Sequence, residues 1–213
     1  MRKASFSMAV TIEELEDLCK YKQILKIPYD ELVQFVLDYI RRKSTLMVSF
    51  WAMCIFFLGI ALVVRFNISG YFHYSRILFH TILGLVVFPL LIAPVHELLH
   101  IIPFYLFGAR HIRIKMDLKQ YMFYVTAHRH VVNEVQFRIV ALVPFILVSV
   151  FLLFMIFHLP GLWKWSLSLL LFAHATMCAG DFALLNFYAL HRGKKIYTWD
   201  DANEKMSYFY QEI

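Results

Sequence analysis

His96 and His100 bracket Glu97 in the run His96-Glu97-Leu98-Leu99-His100. Residues four apart share one face of a helix, so both imidazoles can address a single ion. Glu97 lies about 100° around the same helix, where it can reach a water beside that ion. Two nitrogen ligands and an adjacent carboxylate base make a residue set for metal-assisted hydrolysis. The setting sharpens the reading. The motif is embedded in VVFPLLIAPVHELLHIIPFYLF, and Glu97 is the lone acid between residues 44 and 116. Ionisable groups in such apolar runs are costly and default to function. The alternative is a buried His–Glu–His hydrogen-bond cluster that ties helices together.

Catalytic zinc takes three protein ligands and keeps one position open. Between residues 135 and 199 the lone acid is Asp181. His100 lies ten residues before Arg110, and Asp181 eleven before Arg192. If both segments run in the same direction, a rise of about 1.5 Å per residue puts the two groups at one level. Asp181 is therefore the expected third ligand, and Gly180 allows close helix approach. His174 lies seven residues before Asp181 and Asn186 five beyond it; both are candidate supporting residues around the site. For Asp181 the alternative is a carboxylate simply paired with His174 or a lysine. His128 and His130 lie on the expected hairpin, in a solvated loop or else lining the site entrance, and Asp200 and Asp201 are expected in a solvated tail. Pro89, Pro94 and Pro103 surround the motif, where each removes a backbone donor and favours a kink.

The elements that must carry these residues follow from composition. Of 213 residues, 61% are hydrophobic and 17% charged, with mean hydropathy +0.62. Soluble domains average about 45–50% apolar and about 25% charged. Disordered, collagen-like and nucleic-acid-binding classes are excluded, and three cysteines cannot form a complete disulfide framework. A spanning helix needs about 20 apolar residues. Residues 46–64, about 77–107, 139–159 and about 162–190 qualify. The second and fourth are long enough to require tilting or kinking. The first begins too late and runs too long for a cleaved signal peptide.

The expected fold is an all-α membrane protein with four transmembrane helices spanning 46–190. Residues 1–45 form a cytoplasmic or interfacial collar of two short amphipathic helices. One is capped at Thr11-Ile12-Glu13-Glu14, and one starts at Pro28 and ends near Arg42. A small cytoplasmic-side β-hairpin is expected at about 111–131, where Ile112, Ile114 and Met116 alternate with Arg113 and Lys115, and Asp117-Leu118-Lys119-Gln120 supplies the turn. Residues 191–213 form a cytoplasmic tail. Basic residues divide eighteen to three across these boundaries, which places both termini and the 110–137 loop in the cytoplasm of a cell-membrane protein. The net charge of +6 suits an anionic lipid surface and needs no nucleic acid.

The HELLH run in a proline-rich helix, the basic hairpin, Ala141 to Pro144 (ALVP) and Ala179 to Asp181 together resemble a family of zincin membrane peptidases of Firmicutes. That family is distantly similar to the site-2 proteases, which are intramembrane zinc metalloproteases. The resemblance covers about residues 80–210. It implies Zn2+ on His96, His100 and Asp181, with Glu97 activating water against a membrane protein or peptide substrate, locally unwound and laid against the 111–131 strands. Site-2 proteases place the ligand Asp before a Gly, whereas here Gly180 comes first. A reading from another class is a non-enzymatic metal-binding membrane scaffold or metal-handling protein, for which Glu97 would have no task.

Overall fold

The computed structural model describes residues 10–68, 70–117 and 122–213. The chain runs as α1 (Ile12–Leu15), β1 (Tyr21–Pro28), α2 (Leu32–Arg41), α3 (Thr45–Asn67), α4 (Tyr74–Ile82), α5 (Phe88–Leu99), α6 (Ile101–Leu106), β2 (Ile112–Asp117), β3 (Met122–Ala127), β4 (Val132–Asn133), α7 (Glu134–His158), α8 (Leu162–Met177), α9 (Ala179–Leu190), β5 (Ile196–Asp201) and β6 (Met206–Glu212). The fold is mostly helical with small antiparallel sheets.

Among the described residues, three helical stretches are long and apolar enough to cross a membrane: Thr45–Asn67, Tyr74–Leu106 and Glu134–His158. A fourth is available if α8 and α9, bent by 41° at Cys178, count as one span. Both overlong segments of the sequence are thus broken. The 33 residues from Tyr74 to Leu106 would reach about 50 Å at 1.5 Å each, well beyond a bilayer core of about 30 Å. That stretch is interrupted by a π turn at Leu83–Val87 and again at His100.

The bundle core is built from Phe50, Cys54 and Phe57 of α3, Phe145, Val148 and Leu152 of α7, Leu170, Leu171 and Ala175 of α8, and Phe182 of α9. The outer faces of α3, α4, the turn after α4 and α5 expose Ile55, Phe56, Phe79, Leu85, Leu90 and Leu91. In water this surface would be unstable; in lipid it is the expected covering. Helix association in lipid depends on close packing and polar links between helices. Gly84, in the π turn, supplies the first: a Cβ there would lie 2.4 Å from the Ser166 carbonyl oxygen. His80 Nδ1 paired with Ser166 Oγ at 2.7 Å, and Trp165 Nε1 donating to Thr81 Oγ1 at 2.8 Å, supply the second.

The two short N-terminal helices are present, with Thr11 and Glu14 forming a reciprocal capping box and Pro28 preceding a 3-10 turn that leads into α2. Between them lies a strand that the helical reading omits, and the tail is a β-hairpin instead of a solvated extension. Together they form a four-stranded antiparallel sheet in the order β1-β6-β5-β4. One sheet face, with Ile27, Ile196 and Phe209, packs on Tyr39 of α2 and Phe187 and Tyr188 of α9. The other, with Trp199, Tyr208 and Tyr210, is covered by Ile12 and Leu15 of α1. Because both faces are apolar, β6 lacks the polar alternation that marks a one-sided strand. Its partner is also remote, since Tyr21 pairs with Glu212. The hairpin at about 111–131 is present as β2 paired with β3, Ile114 opposite Val125. Its turn at 118–120 lies outside the described residues.

Gly84→Ala should lower the thermal midpoint in detergent, because overpacking against an unyielding backbone costs about 1–3 kcal/mol. An unchanged midpoint would show that α8 is free to retreat from the π turn.

Candidate metal centre

α5 carries His96 and Glu97 and is capped by His100; its apolar outer face is exposed and His96 is turned into the bundle. His96 and His100 are buried, 6% and 7% exposed, and Glu97 is partly buried. Ligand atoms of these three residues lie within 4.8 Å of one another. α9 brings Asp181 to them from 85 residues away. Its Oδ2 is 3.1 Å from His96 Nε2 and its Oδ1 is 3.5 Å from His100 Nε2.

The orientation of each ring follows from its other nitrogen. His100 Nδ1 donates to the carbonyl oxygen of Val140, at 2.9 Å. A carbonyl only accepts, so the proton sits on Nδ1 and a neutral ring turns a lone pair at Nε2 towards Asp181. His96 Nδ1 is paired with His174 Nε2 at 3.1 Å. A proton on His96 Nδ1 donated to His174 leaves His96 Nε2 as a second lone pair on the same side. Two lone pairs facing a carboxylate call for a cation between them, and nitrogen, nitrogen and oxygen donors are the set that catalytic zinc takes. The residues therefore fit the ion that the motif implies. The backbone N–H of Val125, in β3, is directed at the Glu97 carboxylate.

His174 is fully buried beside His96, and its Nδ1 has no hydrogen-bond partner among the described residues. Cys178 is a residue of this cluster that the sequence pattern did not single out. Its Sγ lies 3.8 Å from both His96 Nδ1 and His174 Nε2. The signal was its position four residues after His174 and three before Asp181, one helical face. Cys19, Cys54 and Cys178 are all free thiols.

Asn186 is not part of this cluster, which corrects its reading as a supporting residue of the site. Its side-chain amide donates to the carbonyls of Tyr39 and Arg42, at 2.7 and 2.9 Å. The last carbonyls of a helix lack partners within it, and Asn186 satisfies two of them where α2 ends. His128 and His130 are not solvated either. His128 Nδ1 accepts from the backbone N–H of Ala202, at 3.1 Å, and His130 lines the cavity in front of Glu97. Asp200 and Asp201, expected in solvent, are built into the sheet. Asp201 accepts from the backbone N–H groups of Asn203 and Glu204.

The cavity in front of the motif has a volume of about 270 Å³. It is lined by helices α5, α7 and α9, by Tyr124 to Ala127 of β3, and by Thr198, Asp200, Ser207 and Phe209 of the sheet. Among the described residues β3 pairs with β2 on one side only, and it packs directly on α5.

Residues 89–196 match the model of the family DUF3267, described as "Putative zincin peptidase". No curated protein and no solved structure matches the chain.

Zinc measured on the purified chain should fall well below one equivalent in His96→Ala, His100→Ala and Asp181→Ala. His174→Gln should retain the ion with an affinity about 10–100-fold weaker, the usual loss when a ligand loses its orienting partner. Asn186→Ala should leave zinc unchanged while lowering stability by about 1–3 kcal/mol, because two buried carbonyls lose their donor. Full zinc in Asp181→Ala would move the third-ligand role to another residue, with His174 and Cys178 next in reach.

Proposed function

As this chain belongs to the family described as "Putative zincin peptidase", we propose that it is an intramembrane, site-2-protease-like zinc metallopeptidase that hydrolyses peptide bonds of membrane-associated substrates. The observation that carries the reading is the convergence of His96 Nε2, His100 Nε2 and the Asp181 carboxylate beside Glu97, among helices apolar enough to span a bilayer. His96, His100 and Asp181 would hold the zinc. When bound, zinc polarises the scissile carbonyl and makes water more acidic.

Every other part of the reaction falls to the chain. Glu97 accepts a proton from the attacking water as the water oxygen bonds to the carbonyl carbon, then passes that proton to the departing amine nitrogen. The Val140 carbonyl and His174 hold the two imidazoles in the tautomer that binds through Nε2. The unpaired edge of β3 offers main-chain donors and acceptors to an extended substrate segment. That suits a membrane helix that must unwind before it can be cut. The apolar cavity walls limit bulk water. The eighteen-to-three division of basic residues supports a cell-membrane location with both termini, and therefore this cavity, facing the cytoplasm.

Glu97→Gln tests the chemistry. The amide keeps the size of the side chain and cannot accept the proton, so zinc should stay bound while hydrolysis falls about 10²–10⁴-fold. Comparing membrane proteomes of cells expressing either form should reveal helices that accumulate uncut. Retained zinc with no difference in processing would favour a metal-binding scaffold instead.

Topology is testable separately. Single cysteines at Tyr71, which is exposed between α3 and α4, and at His111 should label from opposite sides of the membrane. Labelling of the His111 position from outside intact cells would reverse the orientation.

A further inference from the structure

The sheet wall of the cavity carries a group that the hydrolytic reading does not use. The sheet face turned to the bundle is largely apolar, with Ile27, Ile196 and Phe209. Thr198, Asp200 and Ser207 interrupt it, and all three line the cavity. Thr198 is accounted for, since its hydroxyl donates to the Tyr208 carbonyl at 2.9 Å. Asp200 is not. Its Oδ1 accepts from Ser207 Oγ, at 2.5 Å, and no Lys or Arg of the described residues pairs with it. The neighbouring Asp201, on the opposite side of the strand, is answered by two backbone N–H groups.

A half-buried carboxylate facing a cavity with one hydroxyl donor is under-compensated. Burial pushes its carboxyl up to about 6, with Ser207 as the opposing influence. A folded pKa above the unfolded value means that the folded chain binds the extra proton. The fold therefore loses stability as pH rises from the ordinary carboxylate range through about 6. A neutral amide at this position would make the folded chain more stable at neutral pH. On the same cavity, the buried His130 Nε2 also has no hydrogen-bond partner among the described residues. Burial lowers the His130 pKa, so its ring does not supply the missing positive charge. A fold that keeps an unanswered carboxylate facing a cavity, at a cost to itself, has a use for it when the cavity is filled.

We propose that Asp200 is a specificity residue that receives a cationic side chain, Lys or Arg, of the substrate. An ammonium or guanidinium group supplies the missing charge and donors at once, and such charge-assisted hydrogen bonds are roughly twice as strong as neutral ones. The choice of a peptide ligand rests on the peptidase reading of the same cavity. That reading also supplies the source of the cation: membrane-spanning segments carry Lys and Arg on their cytoplasmic flanks. A segment with its apolar end at His96 and His100 would bring its basic flank to the sheet wall.

The test uses the full-length Glu97→Gln chain in nanodiscs and fluorescent Leu/Ala peptides of about 20 apolar residues. Each peptide ends its apolar run with Lys, Arg, Gln or Glu, and binding is read by anisotropy. The Lys and Arg peptides should bind about tenfold tighter than the Gln peptide, a difference of about 1.4 kcal/mol, and the Glu peptide should bind weakest. Asp200→Asn keeps the acceptor for Ser207 and should bring the Lys peptide to the level of the Gln peptide. Asp201→Asn should leave the preference in place. Equal binding of Lys and Gln peptides, a preference that survives Asp200→Asn, or no binding by any peptide would overturn the proposal. Cleavage by the unaltered chain is scored separately. A Lys preference without cleavage upholds the subsite and removes the peptidase reading; cleavage without a Lys preference does the reverse.

Discussion

A carboxylate or imidazole placed among apolar helices must be answered by a polar partner, and at this site the partners lie on other helices. Asp181 faces His96 and His100 of another helix, His100 is answered by the Val140 carbonyl of a third, and His96 by His174 of a fourth. Each polar atom in this chain of contacts therefore fixes one helix against another. The arrangement leaves imidazole lone pairs and carboxylate oxygens pointing at a common volume, which the protein alone cannot satisfy.

The backbone breaks lie where this convergence needs them. The Tyr74–Leu106 stretch carries a π turn at Leu83–Val87, with Gly84 against Ser166, and ends its central helix at His100. The α8–α9 pair bends at Cys178, between His174 and Asp181. A π turn adds a residue to the helix and so shifts the face presented by everything after it. Prolines in α5 leave carbonyls without an intrahelical donor. Lipid packing by itself does not direct His96 and Asp181 at each other; the breaks do.

The soluble-side elements complete the cavity. The sheet is tied to the bundle by Tyr39, Phe187, Tyr188 and Phe209 and by Asn186 holding the end of α2. It brings the two ends of the chain together as adjacent strands, so the terminal segments form a wall of the site instead of a detachable collar. β3 runs along α5 with an edge unpaired among the described residues, and it lines the cavity of about 270 Å³ together with the sheet. A peptide entering there would meet main-chain groups of β3 and Asp200 of the sheet.

Much of this was legible in the residues alone. Apolar run lengths located the helices to within a few residues, because the bilayer sets a length that composition reports directly. His96, Glu97 and His100 were legible because their relation is local to one helix, and the level shared by His100 and Asp181 could be counted from flanking arginines. The capping box at Thr11 and the β2–β3 hairpin are likewise local patterns. What only tertiary structure decided involves separations that no short window contains. The pairing of Tyr21 with Glu212 turned an expected polar tail into a two-sided sheet, whose apolar faces erase the alternation that would have revealed it. Asn186 carries a polar side chain in an apolar helix, as Asp181 does, and sequence does not distinguish them; the distinction came from which helix end each one faces. Asp200 reads as one more acid in a charged tail, and its meaning depends on burial that arises only once the strands are paired.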